Sequence, residues 1–448
     1  MSSINEFYSK EKKESYYETL VKELSSLNKE LNAFSTINES INSGYPFSAK
    51  DNICVKGFES TASSRILAGY KPEFSATSIN KLLSKDFGFL GKTVMDEFGF
   101  GSFGVNCETP ARNPFNPEYV AGGSSSGAAV AASIMKYHLA IAESTGGSIS
   151  TPAAFCGVVG FTPTYGTVSR YGLIDYANSL DKIGIISRHA EDIREAFSVI
   201  RGEDPLDSTS VGKVPEEKRK DKIIILKEAM EHAEEKVRSS FARLIGKLEN
   251  MGYKVEEKSF EPISKAVSIY YIISMAEAST NLAKYTGFKY GYQGEDFTKG
   301  YNAFFTEARN KFGEEAKRRV ILGTFVRGAS VKSKYYGKAL RARALIIDGM
   351  NKLLGDGYIL TPTMPITTPK FTEVKELTPL QSYASDILTI PPNLCGFPHI
   401  SFPYDYVGGM PLGAQLVSSH FNDNAVIGFA EQWEKQFEYK FRYNLGSL

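Results

Sequence analysis

The sequence predicts a layered α/β fold, and three observations carry that expectation. Short apolar runs suited to buried strands alternate with amphipathic stretches suited to helices along the whole chain. The tract at 122–172, rich in glycine, serine and alanine, is interleaved with structure, as a close-packed core requires and a linker does not. At 448 residues, 42% hydrophobic and 23% charged, the chain can bury a large core.

The elements follow in order. Leu20, Val21, Leu24, Leu27 and Leu31 recur at helical spacing with Lys and Glu between them, which predicts an amphipathic helix over 14–32 packed on a larger body. PFSAKDNICV (46–55) alternates like a strand and carries Lys50 in its middle; a helix over 76–84 and a short strand at FGFLG (87–91) come next. Within the small-residue tract, SGAAVAASIM (126–135) reads as a helix and HLAIA (138–142) as a buried strand. TPAAF (151–155) opens a helix with Thr151 as cap and Pro152 in the first turn. The stretch 201–221, RGEDPLDSTSVGKVPEEKRKD, is a surface seam whose Lys/Arg cluster reads as a solvated loop. After it KIIIL (222–226) starts a fresh buried strand, and Val237, Phe241, Leu244, Ile245 and Leu248 mark a second amphipathic helix. GYILTPTMP (357–365), HISFPY (399–404) and MPLGAQLVS (410–418) supply further strands. No repeat of 20 to 50 residues interrupts this alternation.

With 52 basic against 51 acidic residues the formal net charge is +1, which excludes a chain that holds nucleic acid or an anionic membrane by charge alone. If a nucleic acid is involved, a partner does most of the holding. Cys54, Cys107, Cys156 and Cys395 form no CxxC pair, so neither a disulfide framework nor a zinc cluster is expected. The opening MSSINEFYSKEKKE is too polar for a signal peptide, and no apolar run reaches the roughly 18 residues of a membrane helix. A soluble cytoplasmic protein is the expectation.

Phosphate loops are unsupported, because neither Gly/Ser tract ends in the lysine of a Walker loop and no GxGxxG is followed by its acidic residue. GSSSG (123–127) matches GxSxG with Ser125 central, but the prolines of ARNPFNPEYVAG before it exclude the strand a nucleophile elbow needs. None of His138, His189, His232, His399 and His420 stands beside a supporting acidic motif. SxxK occurs at Ser26–Lys29 and Ser78–Lys81, both on expected helix surfaces, where the pattern arises by chance. Lys50 admits two readings: an exposed lysine on an edge strand, or a buried amine whose charged form desolvation disfavours, able to act as a base. Ser148 follows Gly146 and Gly147 directly and lies just before a helix N-terminus. Backbone N–H groups freed by those glycines, reinforced by the helix dipole, suit an acyl-transfer oxyanion. Such a serine wants a base nearby, and with no convincing histidine Lys50 relayed through another serine is the economical choice.

A lysine in KDN, then GGSSSG, then TGGSIS followed by PAAFCG, with Ser148 lying 148 − 124 = 24 residues beyond Ser124, resembles the amidase signature family. That resemblance implies a single α/β domain with a mixed central sheet covered by helices on both faces. It implies a Ser–cis-Ser–Lys triad: Ser148 as nucleophile, Ser124 as bridging serine in a cis peptide, and Lys50 as base. Thr145, Gly146 and Gly147 would supply the oxyanion N–H groups. FTPTYGTVSRYGLIDYANSLDKIG (161–184), AEASTNLAKYTGFKYG (276–291), RRVILGTF (318–325) and SDILTIPPNLCGFP (385–398) resemble one branch, the A subunits of tRNA-dependent glutamyl/aspartyl amidotransferases. The branch implies glutamine as ammonia donor, with Asp386, Arg319 and Tyr270 lining its site. It also implies two partners: a B subunit that carries ATP, Mg2+ and the mischarged tRNA, and a small C subunit. No metal or cofactor is expected on this chain, and no membrane.

The chain departs from the family pattern at Ser144, where many relatives have aspartate, and at Ser150, where they have arginine; GSFGVNCETPARNP (101–114) also looks shortened. These changes spare the nucleophile and the glycines but alter the charge around them. Two other readings stay open from sequence: a free-standing amidase for another small amide, and a catalytically silent scaffold subunit.

Overall fold

The structure, a computed structural model, describes residues 3–10, 15–212, 219–294, 298 and 300–447. Residues 213–218 of the stretch expected as a solvated loop, with Lys213 and Lys218 of its basic cluster, lie outside the described residues. In chain order the strands are β1 (Phe34–Ile37), β2 (Tyr45–Lys50), β3 (Phe87–Thr93), β4 (Leu139–Ser144), β5 (Val159–Thr162), β6 (Lys182–Ser187), β7 (Lys222–Leu226), β8 (Lys254–Lys258), β9 (Tyr358–Pro362), β10 (His399–Val407) and β11 (Met410–Val417).

These strands form one sheet in the spatial order β1-β3-β2-β4-β6-β5-β10-β11-β9-β7-β8. β2 runs parallel to β3 and β4 on its two sides, as β7 does to β8 and β9. The strands between are antiparallel, so the sheet is mixed and crosses the 201–221 seam unbroken. Side-chain alternation buries both faces. Ile223 and Ile225 pack with Val237, Phe241 and Leu244 of the Glu235–Asn250 helix, while Ile224 and Leu226 join Ile269 and Ile273 of the Ala266–Asn281 helix in a second core. β8, KVEEK, is charged and largely exposed, as an edge strand should be. No helix among the described residues is long and apolar enough to cross a membrane.

Several expectations need correction. β2 ends at Lys50, not at 55, because Asp51 turns the chain by accepting the N–H groups of Thr61 and Ser63, each at 3.1 Å. Lys50 is therefore the last residue of an interior strand and fully buried, which removes the exposed edge-strand reading. Thr151 is not a cap: the helix spans Ser150–Phe155, and the Thr151 hydroxyl faces Met364 Sδ at 3.3 Å. Ser78 is buried inside the Thr77–Leu83 helix, not on its surface, and Lys81 caps the chain at Ile200 and Arg201 by donating to their carbonyls. The N-terminal helix occupies Ser15–Leu31, close to expectation, and a shorter helix, Ser3–Ser9, precedes it with Ile4 and Phe7 buried. The described half of the seam is tied down, since Asp204 accepts from Thr77 Oγ1 and Ser169 Oγ, each at 2.5 Å.

Candidate active site

Because β2 and β4 are parallel neighbours, their C-terminal ends emerge on one side of the sheet, where open α/β sheets bind ligands. Lys50 ends β2. Its Nζ lies 2.7 Å from Ser124 Oγ, and it donates to the Glu143 carbonyl at 3.0 Å and to Glu143 Oε2 at 2.8 Å. Ser124 follows a cis peptide bond from Gly123 and precedes the Ser126–Ile134 helix. Only glycine fits at 123, since a Cβ there would lie 2.0 Å from Asp96 Oδ2. The Ser125 N–H donates to the Ser148 carbonyl at 3.1 Å, which docks the second serine loop on the first. Ser148, 6% exposed, opens into a narrow pocket that it shares with Gly123, Tyr270, Tyr271, Arg319 and Asp386.

Between β4 and the Ser150–Phe155 helix the chain forms a tight loop. The backbone N–H groups of Thr145, Gly146, Gly147 and Ser148 make no hydrogen bond to the described residues, and Gly146, Gly147 and Ser148 line the pocket, where such groups can meet an anion. Glycine is required twice here. A Cβ on Gly146 would sit 2.5 Å from Tyr270 Oη, and one on Gly147 2.4 Å from Thr389 Oγ1.

The opposite wall carries both charges expected there. Arg319 lies on the Glu314–Arg327 helix and is buried. Its Nε donates to Glu315 Oε1 at 2.8 Å and its Nη1 to Tyr176 Oη, while its Cζ lies 4.8 Å from the centroid of the Phe100 ring and 5.3 Å from that of Tyr271. Nη2 makes no hydrogen bond to the described residues. Asp386 Oδ2 accepts from Ser102 Oγ at 2.7 Å and from Tyr271 Oη at 2.9 Å. Burial pushes its carboxyl up to about 6, against those two hydrogen bonds and the Arg319 charge. Tyr270 and Tyr271 are buried side by side, ring centroids 5.0 Å apart.

Sequence reasoning missed Glu143, Asn52, Ser102, Tyr271 and Glu315, which hold the expected residues in place. One signal was available, an acid ending the apolar run LAIAE. Ser102 sits in the loop that looks shortened, and its hydroxyl is what engages Asp386. Ser144 and Ser150 are both buried; Ser144 Oγ donates to Asn393 Oδ1 at 3.2 Å, and Ser150 Oγ has no partner among the described residues. Ser125 Oγ donates to the Glu143 carbonyl at 3.1 Å, and no histidine lines the pocket.

A sheet of this order with two serine loops and a buried lysine at the ends of its parallel strands defines a class of amide-cleaving enzymes. The amidase family matches residues 5–427, and the chain belongs to that family. Its relatives are more particular. It is 40% identical over 420 residues to the A subunit of the glutamyl-tRNA(Gln) amidotransferase of Pseudothermotoga lettingae, covering 88% of this chain and 86% of that one. It is 41% identical over 424 residues to the protein of the same name from Sulfolobus acidocaldarius, covering 90% and 86%. The crystal structure of the A subunit of the glutamyl-tRNA(Gln) amidotransferase from Thermotoga maritima superposes with a TM-score of 0.82 at 34% identity, over 97% of this chain and 94% of that one. A 6-aminohexanoate cyclic dimer hydrolase, 19% identical with a TM-score of 0.83, shares the fold.

Proposed function

We propose that this chain is the glutamine-hydrolysing subunit of a tRNA-dependent amidotransferase, releasing ammonia that converts Glu-tRNA(Gln), Asp-tRNA(Asn) or both to the amidated form. One observation carries the reading: a serine, a buried arginine and a buried aspartate line one narrow pocket. Glutamine presents an amide, a carboxylate and an ammonium, and each has its counterpart there. Arg319 Nη2 would meet the carboxylate and Asp386 Oδ1 the ammonium, with Tyr270 beside the amide.

In the mechanism, the Ser148 proton passes to Ser124 as the proton of Ser124 passes to the Lys50 amine. Ser148 Oγ bonds to the amide carbon, and the carbonyl electron pair moves onto oxygen beneath the N–H groups of Thr145, Gly146 and Gly147. Lys50 returns the proton through Ser124 to the amide nitrogen, the C–N bond breaks, and ammonia leaves. Water then releases glutamate from Ser148 by the same path. ATP and Mg2+ belong to a partner, the B subunit, which activates the mischarged tRNA, and a small C subunit braces the pair. A net charge of +1 suits a chain that leaves the tRNA to its partner.

The test is ammonia release from glutamine by the purified chain, with and without co-expressed partners, with Ser148→Ala as control. Activity that needs the partners and disappears with Ser148→Ala supports the reading. Robust turnover of unrelated amides by the chain alone would make it a free-standing amidase. Failure of a fluorophosphonate to label Ser148 in the assembled complex would make it a silent scaffold.

A further inference from the structure

Beyond the lysine and the two serines, the site contains a second buried chain of proton-holding groups. Glu143, next to last in β4, is fully buried. Its Oε2 accepts from Lys50 Nζ at 2.8 Å and from Asn52 Nδ2 at 3.2 Å. Its Oε1 lies 2.6 Å from Thr145 Oγ1, which lies 2.9 Å from Asp181 Oδ1. A hydroxyl owns one hydrogen. Thr145 Oγ1 is thus held between two acids, and its single hydrogen serves chiefly the nearer of them, Glu143. Asp181 is itself fixed by the backbone N–H groups of Tyr176 and Ala177, which donate to its Oδ2 at 2.8 and 2.9 Å, while burial first, then the charge of Glu143, holds its carboxyl well above the usual range. The shorter of the two Thr145 contacts is to Glu143, so Thr145 fixes the Oε1 end of that side chain while Oε2 faces Lys50.

The surroundings of Lys50 complete the count. A neutral amine has two hydrogens and one lone pair, and Nζ has three oxygen neighbours. Two of them, the carbonyl and Oε2 of Glu143, only accept. With both hydrogens directed there, the lone pair faces the Ser124 hydroxyl. Once the proton arrives, the same three oxygens accept all three hydrogens of the ammonium, and nothing has to move.

We propose that Glu143 is a positioning residue of this site: it aims the lone pair of Lys50 at Ser124 and neutralises the positive charge that Lys50 acquires as Ser148 attacks. Thr145 and Asp181 hold Glu143 in that orientation. The inference rests on the assignment of Ser148, Ser124 and Lys50 above. It gives Thr145 a side-chain role in addition to its backbone N–H. It also places a carboxylate beside the lysine in a chain that has Ser144 and Ser150 where aspartate and arginine are expected.

The experiment compares Glu143→Gln, Lys50→Met, the double variant and Ser148→Ala, under whichever composition gives Ser148-dependent ammonia release. Glu143→Gln keeps size and removes charge. Its kcat should fall roughly 10²–10⁴-fold, the range for losing an acid–base partner or the carboxylate that orients it, with KM for glutamine changed less than about threefold. In the Lys50→Met background it should cost almost nothing further, since Glu143 acts through Lys50. If Glu143→Gln does not fold, Thr145→Val carries the test: it frees Glu143 Oε1 while sparing the lysine contact, and kcat should fall about three- to thirtyfold at constant KM. A kcat within twofold of the parent in the folded variant, or losses that multiply with Lys50→Met, overturns the proposal. Activity retained by Ser148→Ala would instead overturn the assignment on which it rests.

Discussion

Asn at position 386 tests the electrostatic half of the pocket. Asp386 Oδ2 accepts from Ser102 and Tyr271, and Oδ1 makes no hydrogen bond to the described residues, which leaves it for a ligand. Asp386→Asn keeps the volume and one acceptor and removes the charge. A hydrogen bond to a charged group contributes about 1.5–3 kcal/mol, so losing it should raise KM for glutamine about 10- to 150-fold while kcat changes far less. The pH dependence gives an internal check. The parent carboxyl titrates at about 6, so the carboxylate that attracts the substrate ammonium is present above that pH and lost as pH falls through it. KM of the parent should therefore climb on acidification towards that of the variant, about tenfold per pH unit once well below 6. KM of Asp386→Asn should stay flat. Ammonia release measured against glutamine concentration between about pH 5 and pH 8 reads both slopes. A parent KM independent of pH, together with a variant that binds glutamine as the parent does, would show that Asp386 does not face the ammonium.

Arg319→Met should lower kcat/KM for glutamine by at least about tenfold and leave an uncharged small amide nearly unaffected, since only glutamine offers a carboxylate; equal losses on both would point to collapse of the aromatic wall. Gly146→Ala places a Cβ 2.5 Å from Tyr270 Oη, so glutamine turnover should drop more than about tenfold while the melting temperature moves by no more than a few degrees. Gly323→Ala acts on stability. Its Cβ would lie 1.9 Å from the Met275 carbonyl oxygen where two helices cross, and the overpacking should cost about 1–3 kcal/mol, read as a melting-temperature drop of a few degrees.

Where burial is continuous or one-sided, the sequence shows the element. IIIL (223–226) and LAIA (139–142) are apolar throughout because both faces of β7 and β4 are covered, and Leu20, Leu24 and Leu31 form a stripe because only one side of their helix meets the core. The Glu314–Arg327 helix shows why other elements escape such reading. It buries Ala316, Arg319 and Gly323 and exposes Ile321, Leu322 and Phe325, so its hydrophobic pattern is inverted. Gly323 explains the inversion. The helix approaches the Ala266–Asn281 helix so closely that no side chain fits between, and the contact is made by backbone in place of a leucine stripe. That close approach is what seats Arg319, one turn earlier, against Tyr271 and the pocket.

The site divides along a similar physical line. Lys50, Ser124, Ser148 and the glycines of its loop stand out in sequence because glycine-rich turns and a lysine among apolar residues are improbable without a reason. The residues that position them do not. Glu143 resembles any acid at a strand end, and Thr145 resembles any polar loop residue, until β4 is paired with β2 and β6. Only that pairing sets Glu143 beside Lys50 and brings Asp181, just ahead of β6, within reach of Thr145. Each of these groups would be costly to bury alone, and the cost is offset only when all are present together. Their arrangement is a property of the sheet order, which no single stretch of the chain contains.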